Sequence, residues 1–347
     1  MKNYLNFETD IKNLELELEK LKDPFNQEGL SEVNTNKISE IQSEIDTKLD
    51  EIYSNLNAWQ TAMVARHEDR PRSKFFIDNL FEEFISLSGD RFYGEDKSVL
   101  TGFAKFEGIS MLVIGQEKGE DLDTRIERNF GMMRPEGYRK TIRLMKLADK
   151  FNIPIILFID TPGAYPGVGA EERGQAEAIA KSIECCMDLK VPTISIIIGE
   201  GGSGGAIALA SSNKVLMLQN AIYSVISPEG CATILWRDPT KTLEAAQAMK
   251  LSAKDLLDLK IIDEIISEPT GGAHRDKDLI LNNVKNAITK NLKEISSISR
   301  EEIINHRKNK FLSIGRSKGF VSETKTDDSL HMKQNFLDIL KIKIVKN

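Results

Sequence analysis

Cysteine is scarce in this chain. Three occur in 347 residues, Cys185, Cys186 and Cys231, and no pair has CxxC spacing. An odd count without that spacing argues against a disulfide framework or a zinc site, so no metal is expected in this chain. Buried thiols are expected instead. Long apolar runs are missing too. No stretch reaches the ~18 apolar residues that would span a bilayer. The acidic start MKNYLNFETDIKNLELELEK lacks the apolar segment of a signal peptide. A cytoplasmic protein with no membrane partner is expected. Basic charge is not in excess: 47 Lys and Arg face 53 Asp and Glu, a net charge of −6. That argues against a general nucleic-acid binder. There is no GK[ST] tripeptide, so a P-loop is excluded. DTPG (160–163) resembles a magnesium-binding turn of GTPases, but nothing else of a guanine site accompanies it.

The first 60 residues carry narrow apolar stripes. Ile11, Leu14, Leu18 and Leu21 recur at helical spacing, as do Ile38, Ile41, Ile45, Leu49 and Ile52. Two amphipathic helices joined by a loop at DPFNQEGLSEVNTN fit this pattern. From about residue 98 short runs rich in Ile and Val follow: ISMLVIG, IPIILFID, VPTISIIIG, KVLML and IDEII. Helical patterns lie between them, notably PEGYRKTIRLMKLADKF and AEERGQAEAIAKSIECCMDLK. Alternation of this kind implies an α/β domain with buried, largely parallel strands. After Gly271 the chain turns polar and helical, and MKQNFLDILKIKIVKN reads as a short terminal helix. The expected division is a helical hairpin and linker over 1–70, a core over 71–295, and a helical segment and tail over 296–347.

One layout occurs twice. IPIILFIDTPGAYPG and VPTISIIIGEGGSGG both run from an apolar residue and a proline through a strand into a glycine-rich turn and a helix. Pro154 and Pro192 mark the two copies. Such a duplication places two turns at the same end of neighbouring strands, where α/β proteins keep their sites.

The second turn holds Gly199, Gly201, Gly202, Gly204 and Gly205 within seven positions. A cluster this dense calls for a close approach to the backbone. GEGGSG matches the dinucleotide fingerprint, but no acid occurs between Gly201 and Pro228 to hold a ribose. GGSGG matches a nucleophile elbow, with Asp263 and His274 downstream in triad order, so a serine hydrolase using Ser203 is one reading. An oxyanion hole made of backbone N–H groups is another. A further cluster lies at Arg125, Arg128, Arg134, Arg139, Lys140, Arg143 and Lys146, opposed by Glu127 and Glu136. It reads either as a solvated helix face or as a surface for an anionic ligand or partner.

RNFGMMRPEGYRK, FIDTPGAYPGVGAEERGQAEAIA, IGEGGSGGAIALA, YSVISPEGCATILW and EPTGGAHRD occur in this order. Together they resemble the carboxyltransferase α-subunit family of bacterial acetyl-CoA carboxylases, from about residue 7 to about 315. LNAWQTAMVARHEDRP looks like that family's linker into the core. The resemblance implies a crotonase-like (ClpP/crotonase) spiral of ββα units. It implies carboxyl transfer from carboxybiotin to acetyl-CoA, giving malonyl-CoA, the committed step of fatty-acid synthesis. It implies biotin on a separate carrier protein, a biotin carboxylase, and a zinc-ribbon β subunit, in an α2β2 assembly. Gly204 and Gly205 are then the donors to the biotin oxygen, with Gly163, Ala164, Gly201, Gly202, Arg134 and Arg139 as substrate-side residues. A self-contained acyl-CoA hydratase or isomerase is the alternative, with Glu200 and Glu229 as its acids.

Overall fold

Proline begins both central strands at the same level. In the computed structural model, which describes residues 2–22 and 35–316, eight strands form one sheet. They are β1 (Glu82–Ser86), β2 (Val99–Phe106), β3 (Ile109–Gln116), β4 (Ile155–Thr161), β5 (Thr193–Gly202), β6 (Lys214–Leu218), β7 (Ile222–Ser224) and β8 (Glu264–Ile266). Their order is β1-β2-β3-β4-β5-β6-β8, with β7 paired to β5. Ile155 lies opposite Thr193, so Pro154 and Pro192 are neighbours. Neither proline can donate to the ladder, but their carbonyls accept from Leu112 N and Ile155 N, each at 2.9 Å. The duplicated layout is thus two adjacent parallel strands in register.

Every residue of β4 and β5 is buried. Unbroken apolar runs of this kind suit parallel strands covered on both faces. β1, β2 and β3 are antiparallel, and β3 to β6 and β8 run parallel. The five apolar runs read from the sequence all became strands; β1, β2 and β7 were not among them. β5 is long enough to serve two partners. Its first half pairs with β6 and its last three residues, Glu200–Gly202, pair with β7. That split sets β7 beside the end of β5 that leads into the glycine turn.

PEGYRKTIRLMKLADKF forms one helix, Pro135–Phe151, with proline in its first turn and Asn152 left-handed after its end. Its buried Tyr138, Thr141, Leu144, Met145 and Ala148 make the core stripe. AEERGQAEAIAKSIECCMDLK is split instead into Val168–Glu172 and Gln175–Asp188, because Gly174 takes a left-handed conformation between them. The helix Arg300–Ser313 is tied down by Arg307. This fully buried guanidinium donates to the carbonyls of Cys186 (2.7 Å) and Leu189 (2.8 Å), capping the end of Gln175–Asp188. Cys185 and Cys186 are buried as expected, whereas Cys231 is only half-buried on the short helix Pro228–Trp236.

Thr9–Lys22 and Thr35–Tyr53 are the two N-terminal helices. Their stripes meet in a cluster of Ile11, Leu18, Ile41, Ile45, Leu49 and Tyr53 that also takes in Val64 of Ala58–Ala65. The loop expected between them lies mostly outside the described residues, as does the expected terminal helix after residue 331. Met1–Lys310 is one compact unit; of the second, Phe311–Asn347, residues 311–316 are described.

Candidate active site at the paired glycine turns

The two turns touch, and glycine is what lets them. A Cβ on Gly202 would lie 2.1 Å from Pro162 O, and one on Gly205 would lie 2.6 Å from Gly163 C and 2.8 Å from Ala164 N. Neither overlap can be relieved by moving a side chain. One on Gly199 would sit 2.5 Å from the Asp160 carboxylate, and one on Gly201 would lie 2.9 Å from the Tyr223 ring. What comes close to the cluster is therefore mainly the first turn, DTPGA, pressed on the second. Gly204 differs. A Cβ there would meet only Ile179, at an ordinary 3.6 Å. The fold does not require glycine at this position.

Ser203–Ala210 is the helix that starts at this turn, with Gly202 as an N-cap that has no side chain to offer. A helix start leaves its first N–H groups without partners inside the helix. Here the N–H groups of Gly204 and Gly205 meet no acceptor among the described residues. The positive end of the helix dipole adds to them. Beside them runs a groove of about 420 Å³ lined by Ser203, Gly204, Ile207, Tyr223, Val225 and Met249, among others. The donors and the groove together can receive an anionic oxygen on an otherwise apolar group.

Beneath the turn lies a buried chain of charges. Asp160 Oδ1 accepts from Lys118 Nζ at 2.8 Å and from Glu200 N at 3.0 Å, and Oδ2 accepts from Arg72 Nη1 at 3.2 Å. Lys118 Nζ also donates to Glu200 Oε2 at 2.6 Å, and Arg66 Nε donates to Glu200 Oε1 at 2.6 Å. Arg66 then reaches Glu229 Oε1 at 2.6 Å. Burial pushes the Asp160 and Glu200 carboxyls up, but Lys118 with Arg72 and Lys118 with Arg66 outweigh it and hold both below the usual carboxylate range. Glu200 is thus an anion with its charge matched on both sides. It does not repel a second anion at the helix start.

This overturns Glu200 and Glu229 as the acids of a hydratase. Glu200 is held ionised between two cations, and Glu229 is the far partner of Arg66. The hydrolase triad is not assembled either. Asp263 pairs with Lys310 and accepts from Val215 N at 2.6 Å. His274 stacks on His67 with ring centroids 3.7 Å apart. Among the described residues neither is hydrogen-bonded to Ser203.

Of the other candidates, Gly163 and Ala164 form the first turn against Gly205. Arg134 lies over the Tyr165 ring at 4.7 Å, one residue beyond Ala164. Arg139 instead donates to Arg173 O and lies near Phe92. The rest of the basic stretch is largely used internally. Lys140 is buried and bonds Glu95 and the carbonyls of Asp96 and Val99. Arg128 caps Lys97 O, and Arg143 caps Ser88 O and Gly89 O. Sequence reasoning missed Lys118, Asp160, Arg66 and Gln116. The segment read as a linker in fact delivers Arg66 and Arg70, and Arg72 follows directly after it. Arg70 donates to Ile198 O at 2.7 Å and pairs with Glu268 in the interior.

The profile of the family described as "Acetyl co-enzyme A carboxylase carboxyltransferase-like" matches residues 4–315. The chain is 78% identical over 339 residues to the acetyl-coenzyme A carboxylase carboxyl transferase subunit alpha of Pelagibacter ubique strain HTCC1062, covering 98% of this chain and 92% of that one. It is 52% identical to the subunit of the same name from Rhizobium etli strain CIAT 652, covering 91% of this chain and all of that one. Among solved structures, transcarboxylase 12S aligns with a TM-score of 0.54 at 18% identity, over 66% of this chain and 42% of that chain. A chain of a Pseudomonas malonate decarboxylase hetero-tetramer, solved with coenzyme A, aligns at 0.53 and 16% identity, over 65% and 90%. These likenesses carry the fold, which is the crotonase-like α/β spiral. With the profile and the identities over nearly the full length, the chain belongs to the family of acetyl-CoA carboxylase carboxyltransferase α subunits.

Proposed function

We propose that this chain is the half of a carboxyltransferase that receives carboxybiotin and stabilises the negative charge left as its carboxyl group departs. The overall reaction is carboxyl transfer to acetyl-CoA, giving malonyl-CoA for fatty-acid synthesis. The observation that carries this reading is the pair of unpartnered N–H groups at Gly204 and Gly205, beside an apolar groove and above a neutralised Glu200. When bound, carboxybiotin supplies the carboxyl group and an oxygen that gains negative charge. Gly204 N and Gly205 N are the donors to that oxygen. Donors aimed beforehand stabilise charge without reorganising during the reaction. A Cβ at Gly204 would meet only Ile179, so glycine there is kept for the approach of the ligand rather than for packing. Gly205, Gly202 and Gly201 hold the two turns together, and Gly163 and Ala164 form the neighbouring wall. Ile207, Tyr223 and Val225 give the groove its apolar lining.

A second anion arises on the thioester, and a second donor set must face it. That set is assigned to a zinc-ribbon β subunit in an α2β2 assembly, served by a biotin carboxyl carrier protein and a biotin carboxylase. Among the described residues no helix is long and apolar enough to cross a membrane, and a cytoplasmic location is part of the proposal. The test is biotin carboxylation coupled to malonyl-CoA decarboxylation. The purified chain alone shows no turnover, and adding the β subunit restores it. Turnover by the lone chain, free of β by mass spectrometry, overturns the half-site reading.

A further inference from the structure

Gln116 is the last residue of β3, and it is fully buried. Its side chain reaches the start of the helix Ser203–Ala210, where Nε2 donates to Gly205 O at 2.8 Å. The same Nε2 lies 3.3 Å from Met133 Sδ. The reverse orientation of the amide would set two acceptors against each other. Oε1 is left buried, with no hydrogen-bond partner among the described residues. A buried acceptor without a partner destabilises a fold, and an apolar residue of the same length would avoid that cost. Folding alone gives no reason for an amide here.

The first turn is held in the same way. Gln175 is buried, and its Nε2 donates to Tyr165 O at 3.0 Å and to Met133 O at 2.8 Å. Its Oε1 is also buried without a partner. Two glutamines thus each place an amide on a carbonyl of one turn, and both touch Met133. The second turn needs such a restraint more, because Gly204 and Gly205 have the widest backbone freedom of any residue. A bond to Gly205 O fixes the peptide plane that follows Gly205 and so limits how Gly205 can rotate. It also draws electron density toward that oxygen, which strengthens the N–H of Ala206 in the same peptide.

We propose that Gln116 is a positioning residue for carboxyl transfer, holding the first turn of the helix so that the Gly204 and Gly205 N–H groups point at the departing oxyanion. This rests on the donor assignment made above. Gln116 touches no substrate in this role. No charged side chain is hydrogen-bonded to its amide among the described residues. Glu117 turns to Lys74 N and Gly119 N, and Lys118 turns to Asp160 and Glu200.

The test uses the full chain in complex with its β subunit, with malonyl-CoA-dependent carboxylation of biotin as the assay. Gln116→Met removes the donor and the orphan acceptor together. It is expected to keep its melting temperature and its KM for biotin while kcat falls about ten- to a hundredfold, the scale of a misaimed catalytic group. Unchanged kcat overturns the proposal. Should that variant fold poorly, Gln116→Glu decides. A neutral carboxyl can donate to Gly205 O and an ionised one cannot, and burial raises its pKa. Its kcat therefore climbs as pH falls, a limb the parent lacks; a pH profile identical to the parent overturns the proposal. Gly204→Val run in parallel separates the two claims. Full activity in Gly204→Val overturns the donor assignment itself. Loss there, with normal turnover in Gln116→Met, overturns only the role of Gln116.

Discussion

Two glycine-rich turns in this protein look alike as text and do opposite things. The turn at 199–205 closes backbone on backbone and leaves its N–H groups open. The loop GGAHRD, 271–276, closes on side chains and leaves little open. Gly272 N donates to Pro269 O at 2.9 Å, Ala273 N to Glu268 Oε2 at 2.9 Å, and Arg275 N to Gly272 O at 3.1 Å. Gly271 is left-handed at φ +89°, and a Cβ there would lie 2.1 Å from Arg275 Cδ. The space is taken by Arg275 on its way to the N-terminal hairpin. It donates to Glu15 Oε1 at 2.6 Å and to Glu8 Oε1 at 3.0 Å, and Glu8 also accepts from Tyr53 at 3.0 Å. One glycine turn builds a donor set, and the other builds a clamp.

The clamp predicts the largest effect on stability. Arg275→Met leaves the fully buried Glu8 without its cation, while Glu15 keeps only Lys2. Removing one partner of a buried pair costs about 3–5 kcal/mol. Hydrogen exchange over Thr9–Lys22 and Thr35–Tyr53 should rise by the corresponding factor, while exchange in β4 and β5 stays slow. Equal loosening of both regions would break the distinction between the two turns. Within the turn at 199–205 the split is finer. Gly205→Ala forces Gly163 and Ala164 away and is expected to cost about 1–3 kcal/mol. Gly204→Ala fits beside Ile179 and is expected to leave the melting temperature unchanged. Two variants with equal melting temperatures would show that the turns are not packed as described.

How much of this could be read in advance follows from distance along the chain. The strands and the paired turns were legible because Pro154, Pro192 and the apolar runs are local signals, and register then made them neighbours. The cluster of glycines announced a close approach, but nothing in the text says that the approaching group is Pro162–Ala164. The charge network was invisible for the same reason. Arg66 and Glu200 are 134 positions apart, Lys118 and Glu200 82. Arg66 and Arg70 sit in a segment whose composition reads as a connector, and Arg72 lies just after it. The basic stretch misled in the other direction. Lys140, Arg128 and Arg143 serve carbonyls of their own fold, and composition cannot distinguish that from a surface for a ligand. His274 was drawn into a triad by its order after Ser203 and Asp263, although its role belongs to the clamp.

That histidine makes the clamp sensitive to acid. His67 and His274 stack face to face, with Arg70, Arg275 and Lys277 on one side of the balance and Asp69 and Glu8 on the other. Burial, then the neighbouring His67 and Arg275, brings the His274 pKa down to about 2, and burial also lowers that of His67. The folded values lie below the unfolded value of about 6.5. The unfolded chain therefore binds more protons, and stability is full above about pH 6.5 and falls as pH drops toward 2. His274 contributes a slope of up to about 1.4 kcal/mol per pH unit within that window, and His67 a loss of the same sign. His274→Gln should remove one such slope from denaturation curves measured between pH 6.5 and 5. An unchanged slope would mean that the ring is not buried as a neutral group.

The smallest expected effect belongs to the residue that most resembles a catalyst. Ser203 stands at a strand-to-helix turn, left-handed at φ +49°, and its side chain is exposed beside the groove. Each of those features is what a nucleophile elbow would show. The missing element is a base, since His274 and Asp263 are held elsewhere by His67 and Lys310. In the donor reading Ser203 contributes only its backbone, and its hydroxyl is dispensable. Ser203→Ala is therefore expected to change carboxyl transfer by no more than about 0.5 kcal/mol, or roughly twofold, as an exposed polar side chain without a partner would. A fluorophosphonate probe should leave the chain unlabelled. The comparison between the turns is sharpest here, because both Ser203 and His274 are removed from catalysis by the same geometry. Loss of activity in Ser203→Ala as deep as in Gly204→Val, together with labelling, would return the hydroxyl to the mechanism and take the glycine N–H groups out of it.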